Sequence, residues 1–426
     1  MSTFNQFMRI TSEWFTYLVY VITLYYLFIS FFGLVRKKDY SKAAPSKRFA
    51  VIVAAYNEEI VIGDMMDSLN MLNYPKELYD VFVIADNCTD NTAAKARNKG
   101  VVVFERFDKD KKGKGYALEW IFNKIFEMEK KYDSVVIFDA DNLVHRDFLM
   151  EMNKKLCQGF KVVQGYLDVK NPTDTWITGS YSIAFWTNNR MFQLGRSNIG
   201  LSNQLGGTGF CVDVEILKKL GWGATCLTED LEFTCKLVLN GYKVGWAHDA
   251  IIFDEKPLAL SQSWRQRKRW MQGFADVSGR YFFRLIEAAV KRKSFVAFDC
   301  ALYSIQPVII IILGISSTIA IFKYALGVMA LLNKTNIINY IYSMNLETAK
   351  IFLLFFGIFQ LLYTPIILIL EKKISSKILL YYLIYPFYVI TWFPISAQGL
   401  IDKNKKEWSH TIHTRSVKIN DLEKPN

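Results

Sequence analysis

Cysteine is scarce in this chain: there are six in 426 residues, and none lies in a C-x-x-C pair. That excludes a disulfide scaffold. Histidine is scarcer, at four, and only His145 and His248 fall between Arg36 and Cys300. No Ser-His or Cys-His constellation for covalent catalysis is therefore expected there. Charge itself is missing over four long stretches: Trp14–Val35 (22 residues), Ala301–Phe322 (22), Ile351–Leu370 (20) and Ile378–Ile401 (24). About 20 apolar residues, rising 1.5 Å each, cross a hydrocarbon core. Helices buried in a soluble core seldom run so far without a polar face, so these stretches read as membrane segments. The first is too long for the apolar region of a signal peptide, lacks an A-x-A site, and is followed rather than preceded by Arg36-Lys37-Lys38.

The remainder is rich. Hydrophobic residues make up 51% of the chain, aromatics 15% and charged residues 22%, with a net charge of +12. This much apolar surface excludes disorder. A positive balance admits nucleic acid as a partner. Its placement beside the apolar runs points instead to lipid headgroups, and no nucleic acid is expected.

The 265 residues from Arg36 to Cys300 have the pattern of a soluble α/β unit. Arg36, Lys37, Lys38, Lys42, Lys47 and Arg48 follow the first run closely. The positive-inside rule puts this unit in the cytoplasm and the N-terminus outside. In that reducing compartment the six cysteines are expected as thiols.

Short apolar runs read as strands at Phe49–Ala55, Tyr79–Ala85, Gly100–Phe104 and Ser134–Phe138, alternating with helical stretches. That alternation predicts βαβ units and a mainly parallel sheet, with ligands bound beyond the strands' carboxyl ends. Strand one ends in Tyr56 and Glu58, strand two in Asp86, strand four in Asp139-Ala140-Asp141. Paired carboxylates at such an end suit Mg²⁺ or Mn²⁺, which take oxygen ligands and bridge to phosphates; the plainer reading is turn capping. Lys114 stands between Gly113 and Gly115, where an ammonium can approach a phosphate; the plainer reading is a solvated basic loop. Thr228-Glu229-Asp230 opens a helical stretch, either as ordinary capping or as a general base near a sugar hydroxyl. Gln266, Arg269 and Trp270 share one helix face. Arg offers a fork of donors to diphosphate oxygens and Trp a flat surface for a sugar ring. A basic interfacial helix is the plainer account.

Taken in order, Tyr56-Asn-Glu58, Asp86, Lys114, Asp139-x-Asp141, Thr-Glu-Asp230 and Gln266-x-x-Arg269-Trp270 resemble the processive family 2 glycosyltransferases: cellulose and other β-glucan synthases, poly-N-acetylglucosamine synthases and hyaluronan synthases. The resemblance implies a GT-A domain, a Rossmann-like mainly parallel sheet, inserted between transmembrane helices. It implies a UDP-sugar donor contacted by Tyr56, Glu58, Asp86, Lys114, Asp139, Gln266 and Arg269. Asp141, with Asp139, would hold Mg²⁺ or Mn²⁺, and Asp230 would be the catalytic base of an inverting transfer. Trp270, Glu229, Phe210 and Cys211 would meet the acceptor, the last two within Gly207-Thr-Gly-Phe-Cys211. Val163-Gln164 resembles a strand of these enzymes.

The expected organisation is a transmembrane helix at 14–35, a catalytic unit at 47–258, and interface helices at 259–295. A channel region follows at 300–401 and a C-terminal segment at 402–426. The partners implied are a UDP-sugar, a growing polysaccharide, the bilayer of a bacterial plasma membrane crossed several times, and accessory secretion subunits or a second copy. Polar residues such as Ser304, Gln306, Ser316, Thr318, Gln360, Thr364, Ser396 and Gln398 could line a channel or simply join helices. An F-x-V-T-x-K motif is missing and about 25 residues follow the last run, so control by a cyclic dinucleotide is not expected.

The donor reading is UDP-glucose, giving a cellulose-like or mixed-linkage β-glucan. The alternatives are UDP-N-acetylglucosamine giving an aminoglycan, and a single transfer forming a glycolipid. One conflict stands out. Three crossings after the catalytic unit would leave the C-terminus outside, yet Lys403, Lys405, Lys406 and Arg415 argue for inside. Trp408–Arg415 also resembles a tryptophan- and threonine-containing segment that lies near the active site in hyaluronan and poly-N-acetylglucosamine synthases. The run 378–401, broken by Pro386 and Pro394, is therefore expected to be interfacial or re-entrant.

Overall fold

The computed structural model describes residues 2–37, 43–223, 226–333, 361–405 and 413–423. Calls on Gln360, on the first half of the run Ile351–Leu370 and on Trp408 lie outside the described residues.

Eight strands form one sheet in the order β3-β2-β1-β4-β7-β6-β8-β5. They are β1 Phe49–Ala55, β2 Tyr79–Asp86, β3 Val102–Arg106, β4 Ser134–Asp139, β5 Leu143–Val144, β6 Val162–Val169, β7 Phe210–Asp213 and β8 Val244–Asp254. The first four are parallel neighbours, with Phe49 opposite both Tyr79 and Ser134. The short β7 runs antiparallel to β4 and β6, which makes the sheet mixed.

Six of the seven residues of β1 are buried, because helices cover both faces of the sheet. On one face Met65, Met66 and Leu69 from the helix Ile62–Asn70 join Phe148, Leu149 and Met152 from Phe148–Cys157. On the other, Leu118, Ile121 and Phe122 from Lys114–Glu127 join Phe233 and Leu237 from Glu229–Leu239. Each such side chain contributes about 1.5–3 kcal/mol. A strand buried on both faces reads as a continuous apolar run, which is why β1, β2 and β4 are visible in the sequence.

Outside the sheet, Glu13–Phe32 is long and apolar enough to cross a membrane, and Ser376–Ile401 is as well. Phe295–Ser304 and Gln306–Ile319 form a pair bent by 66°. The 26-residue stretch Ser376–Ile401 is about 39 Å long. Just before it, Lys373 bonds Asp168 of β6 at 2.6 Å. Just after it, the carbonyl of Asp402 accepts from Gln272 Nε2 at 2.9 Å. One end is thus tied to β6 and the other to the helix Leu260–Lys291.

Candidate active site

The carboxyl ends of β1 and β2 are laced together. Asn57 and Asn87, the turn residues after each strand, both have φ 54. Asn57 Oδ1 accepts the Thr89 N–H at 2.8 Å, and the Glu58 N–H donates to Thr92 Oγ1 at 2.8 Å. Tyr56 is half-buried beside them. Asp86 is buried against Arg106, whose Nη1 donates at 2.6 Å. Burial pushes the Asp86 carboxyl up, against the pull of that guanidinium. Arg106 also donates to the Lys111 carbonyl at 2.6 Å, which fixes the basic loop before Lys114.

Asp139 is the last residue of β4. Lys114, at the start of its helix, reaches across the strand ends. Its Nζ lies 2.5 Å from Asp139 Oδ1 and 2.6 Å from the Gly207 carbonyl. Gly207 takes φ +80, a backbone that a side chain would strain, and its α-carbon faces Asp230 Oδ2. Gln164, fully buried on β6, holds this loop by donating to the Thr208 and Gly209 carbonyls at 2.9 and 3.1 Å.

Glu229 and Asp230 occupy the first turn of the helix Glu229–Leu239. Burial, and then the Glu229 carboxylate, push Asp230 up to about 7. Its Oδ1 accepts the Leu231 N–H at 2.8 Å. Burial also raises Glu229, against the pull of Lys114. For Lys114 the balance runs the other way: Asp139, Glu229 and Asp230 outweigh burial and hold the ammonium charged. Arg269 faces the same group, and burial pulls its guanidinium down despite Glu229 and Asp139. Gly273 lets the helix Leu260–Lys291 approach this turn, since a Cβ there would stand 2.4 Å from Thr228 Cγ2. Arg280 Nη1 and the Tyr281 hydroxyl donate to Glu232 at 2.8 and 3.1 Å, locking the two helices together.

Asp141 is nearly fully buried, and burial pushes it up to about 7. Its neighbour comes from the far end of the chain. His413 Nε2 lies 3.7 Å from Asp141 Oδ2, and His413 Nδ1 lies 2.9 Å from Glu58 Oε1. Burial disfavours the imidazolium, but Asp141, Glu58 and Glu255 outweigh it and push His413 up to about 10. Glu255 anchors the segment by accepting the Thr414 and Arg415 N–H groups at 3.1 and 3.2 Å. Ile419 then packs with Leu143 and Phe253. His413 is thus the basic group that Asp141 and Glu58 share. Among the described residues no three carboxylate, imidazole or thiol groups form a ready-made metal shell. One or two carboxylates are what Mg²⁺ asks of a protein when a diphosphate supplies the other oxygens, so Asp141 and Asp139 fit such an ion.

Trp270 sits between Tyr181, at 6.3 Å and 80°, and Trp392, at 6.5 Å and 22°. Gln266, expected at the diphosphate, accepts the Tyr181 hydroxyl at 2.8 Å. Arg267 is wholly buried, with its guanidinium 4.3 Å from the Tyr388 ring centre and 5.0 Å from that of Trp392. Its Nη1 donates to Thr391 Oγ1 at 2.8 Å, while Nη2 finds no partner among the described residues.

Two expected acceptor contacts are corrected. Phe210 and Cys211 are both fully buried, Phe210 stacked on Trp222 and Cys211 beside Met152. Helices cover both faces of β7 at these positions, so alternation along the strand carries neither side chain to a ligand. Arg106 was not singled out; His413 belongs to the segment 408–415 expected near the active site, but its partners Glu58 and Asp141 were not foreseen. Arg106 ends the third strand, two residues beyond the apolar run Gly100–Phe104 that marks it in the sequence. His413 lies far along the chain from both its partners.

Residues 45–273, just over half of the chain, match the family described as "Glycosyltransferase like family 2". The chain belongs to that family. It is a glycosyltransferase, and its fold is GT-A. It is 27% identical over 299 residues to the probable glycosyltransferase YdaM of Bacillus subtilis, covering 65% of this chain and 69% of that one. It is 28% identical over 247 residues to the beta-monoglucosyldiacylglycerol synthase of Synechocystis, covering 55% and 49%. To the poly-beta-1,6-N-acetyl-D-glucosamine synthase of Staphylococcus aureus it is 27% identical over 251 residues, covering 57% and 58%. The chain thus spans about half the length of the last two. Among solved structures, the mannosyltransferase PcManGT from Pyrobaculum calidifontis, in complex with GDP-Man and Mn²⁺, aligns with a TM-score of 0.55 at 17% identity. It covers 94% of this chain and 99% of that one, a likeness of fold.

Proposed function

We propose that this glycosyltransferase is a membrane-embedded inverting enzyme that moves a hexose from a UDP-sugar to an acceptor hydroxyl. The observation that carries the reading is one cluster. Lys114 bridges Asp139 and the Gly207 carbonyl, and Asp230, Glu229 and Arg269 face it electrostatically. A cation for a diphosphate and a buried base are thereby set side by side.

In this reading Tyr56, Glu58 and Asp86 hold the uridine end. Asp141 and Asp139 hold Mg²⁺ or Mn²⁺, which offsets diphosphate charge when bound. Asp230 takes the proton of the acceptor hydroxyl. That oxygen attacks the anomeric carbon, and the bond to UDP breaks on the opposite face, its electrons leaving with the diphosphate. Arg269 and Lys114 offset the charge that develops there. One displacement turns an α-linked donor into a β-linked product. Trp270 floors the acceptor sugar, as an apolar plane suits a pyranose ring.

The donor we favour is UDP-glucose and the product a β-glucan that leaves along the seam of Trp270, Trp392, Tyr388 and Arg267. The glucosyldiacylglycerol synthase relative supports glucose. It also favours a second reading, a single transfer to a lipid. The Staphylococcus aureus relative supports N-acetylglucosamine as the competing donor. Purified enzyme incubated with each radiolabelled UDP-sugar separates the three. High-molecular-weight label from UDP-glucose is expected. A single glycolipid band would end the polymer reading, and label from UDP-N-acetylglucosamine alone would end the choice of glucose.

In this reading the catalytic unit is cytoplasmic, supported by Arg36 and Lys37 directly after the first apolar helix. The C-terminal segment then shares its side, because Ser416 Oγ donates to Asp64 Oδ2 at 2.5 Å. A cysteine at Ser416 should escape an impermeant thiol reagent in intact cells, and labelling from outside would refute this placement.

A further inference from the structure

Among the described residues two lysines are more than nine-tenths buried, Lys170 at 4% exposure and Lys256 at 3%. They stand on neighbouring strand ends, just beyond β6 and β8. The Lys170 N–H donates to the Asp254 carbonyl at 2.9 Å, which carries the ladder one residue past β6. Asn171 then clamps the second lysine. Its Nδ2 donates to the Lys256 carbonyl and its Oδ1 accepts the Lys256 N–H, both at 2.9 Å.

The two ammonium groups differ. Lys256 Nζ donates to Asp254 Oδ2 at 2.5 Å and lies 3.5 Å from the Phe185 ring centre. The Lys170 ammonium makes no hydrogen bond or ion pair among the described residues. The acids of this edge are engaged elsewhere: Asp254 with Lys256, Asp141 with His413, and Glu255 with the Thr414 and Arg415 N–H groups. Burying an ammonium without a counterion is costly, so the charge calls for an anion that arrives with a ligand.

The sheet indicates which anion. The Glu255 N–H lies 3.4 Å from Asp141 Oδ2, so the β8 end to which Lys170 is bonded also touches Asp141. Burial pushes the Asp141 carboxyl up, and Lys170 follows His413 among the cations that pull it back. The strand order is β2-β1-β4-β7-β6. Tyr56, Glu58 and Asp86 follow β1 and β2, whereas β6 lies two strands beyond β4, about 10 Å further on. A donor with its uridine at β1 and β2 and its metal at Asp141 would bring the sugar end of the diphosphate toward Lys170. A sugar hydroxyl would not supply the missing charge.

We propose that Lys170 is a further donor-binding residue, whose ammonium meets an oxygen of the phosphate bonded to the sugar. That phosphate gains negative charge as the sugar leaves, and a desolvated ammonium held against it stabilises the departing group. The inference rests on the UDP-sugar reading above and deepens it.

Calorimetry on the full chain in detergent with Mg²⁺ tests it by comparing UDP with UMP, which lacks the second phosphate. From the strength of a hydrogen bond to a charged group, Lys170→Met should weaken UDP about tenfold. UMP affinity should stay within about twofold, which also shows that the variant is folded. Lys170→Gln, polar and of similar length, should lose UDP in the same way, and Lys170→Arg, which keeps the cation, should recover most of the affinity. Unchanged UDP binding by the Met and Gln variants would overturn the assignment and leave the donor reading intact. Equal weakening of UDP and UMP would reveal a purely structural lysine and overturn it too. A parent chain that binds neither nucleotide would sink the UDP-sugar reading itself, and this assignment with it.

Discussion

The donor half and the acceptor half of this enzyme treat buried charge differently. At the strand ends Arg106 meets Asp86, Lys114 meets Asp139 and His413 meets Glu58 and Asp141, while Arg269 beside them leaves its Nε without a hydrogen-bond partner among the described residues. On the acceptor side Arg267 is wholly buried among aromatic rings and meets no carboxylate among the described residues. Buried charges are normally paired, because desolvating an ion costs several kcal/mol. In the proposed donor site the paired strand-end cations would be held in place before a diphosphate arrives. The acceptor half keeps unmet donors in an aromatic seam, as a site for a hydroxyl-rich guest would.

The comparison can be broken in four places, taken from the largest effect down. Asp230→Asn removes the base without moving the donor edge. Turnover should fall about 10³-fold, within the range of general-base losses, with UDP affinity held within about twofold. A variant that still transfers sugar at the parent's rate would remove Asp230 from the mechanism; calorimetry with UDP supplies the binding control.

Arg106→Met strands Asp86 in a buried position. It should cost about 3 kcal/mol of stability in urea melts. A loss near zero would mean that the donor edge is less tightly built than its hydrogen bonds indicate.

The third test uses pH. Asp230 must be a carboxylate to act, and burial and Glu229 push it up to about 7. The transfer rate should therefore be flat above about pH 8 and fall about tenfold per unit below 7, roughly a hundredfold by pH 5. A profile flat down to pH 5 would contradict the assignment of that limb to Asp230.

Arg267→Met is expected to have the smallest thermodynamic effect. No carboxylate is orphaned by it, and replacing a buried ion by an apolar side chain of similar volume is often neutral, so stability should stay within about 1 kcal/mol. Product length or acceptor KM should change while UDP affinity does not. A large loss of stability from Arg267→Met together with none from Arg106→Met would invert the contrast between the halves.

Much of the donor edge was legible because its signals are local. Apolar runs buried on both faces announce β1, β2 and β4, and the residues that follow them must fall at one sheet edge. Asp139 and Asp141 belong to that class, whereas Asp230 opens the helix Glu229–Leu239 and was read from its Thr-Glu-Asp motif. What was not legible depends on pairing across long distances. The antiparallel insertion of the four-residue β7 carries Phe210 and Cys211 into the core, and nothing in Phe-Cys-Val-Asp announces it. The Arg106–Asp86 pair depends on the register of β2 against β3, where the two residues stand opposite one another. His413 depends on a tail that returns over the strand ends, held by Glu255 and Ile419. The rod Ser376–Ile401 was flagged by its prolines and by the charges after it, but its anchors at Asp168 and Gln272 have no local signature.

The central claim is a single displacement at an anomeric carbon, driven by Asp230 and ending in inversion. Proton NMR of the first product formed from an α-linked UDP-hexose tests it most directly. The coupling between H1 and H2 distinguishes the two anomers of a glucose-type sugar. The account predicts a β-anomer from the first turnover onward; an α-anomer would show retention and would contradict it.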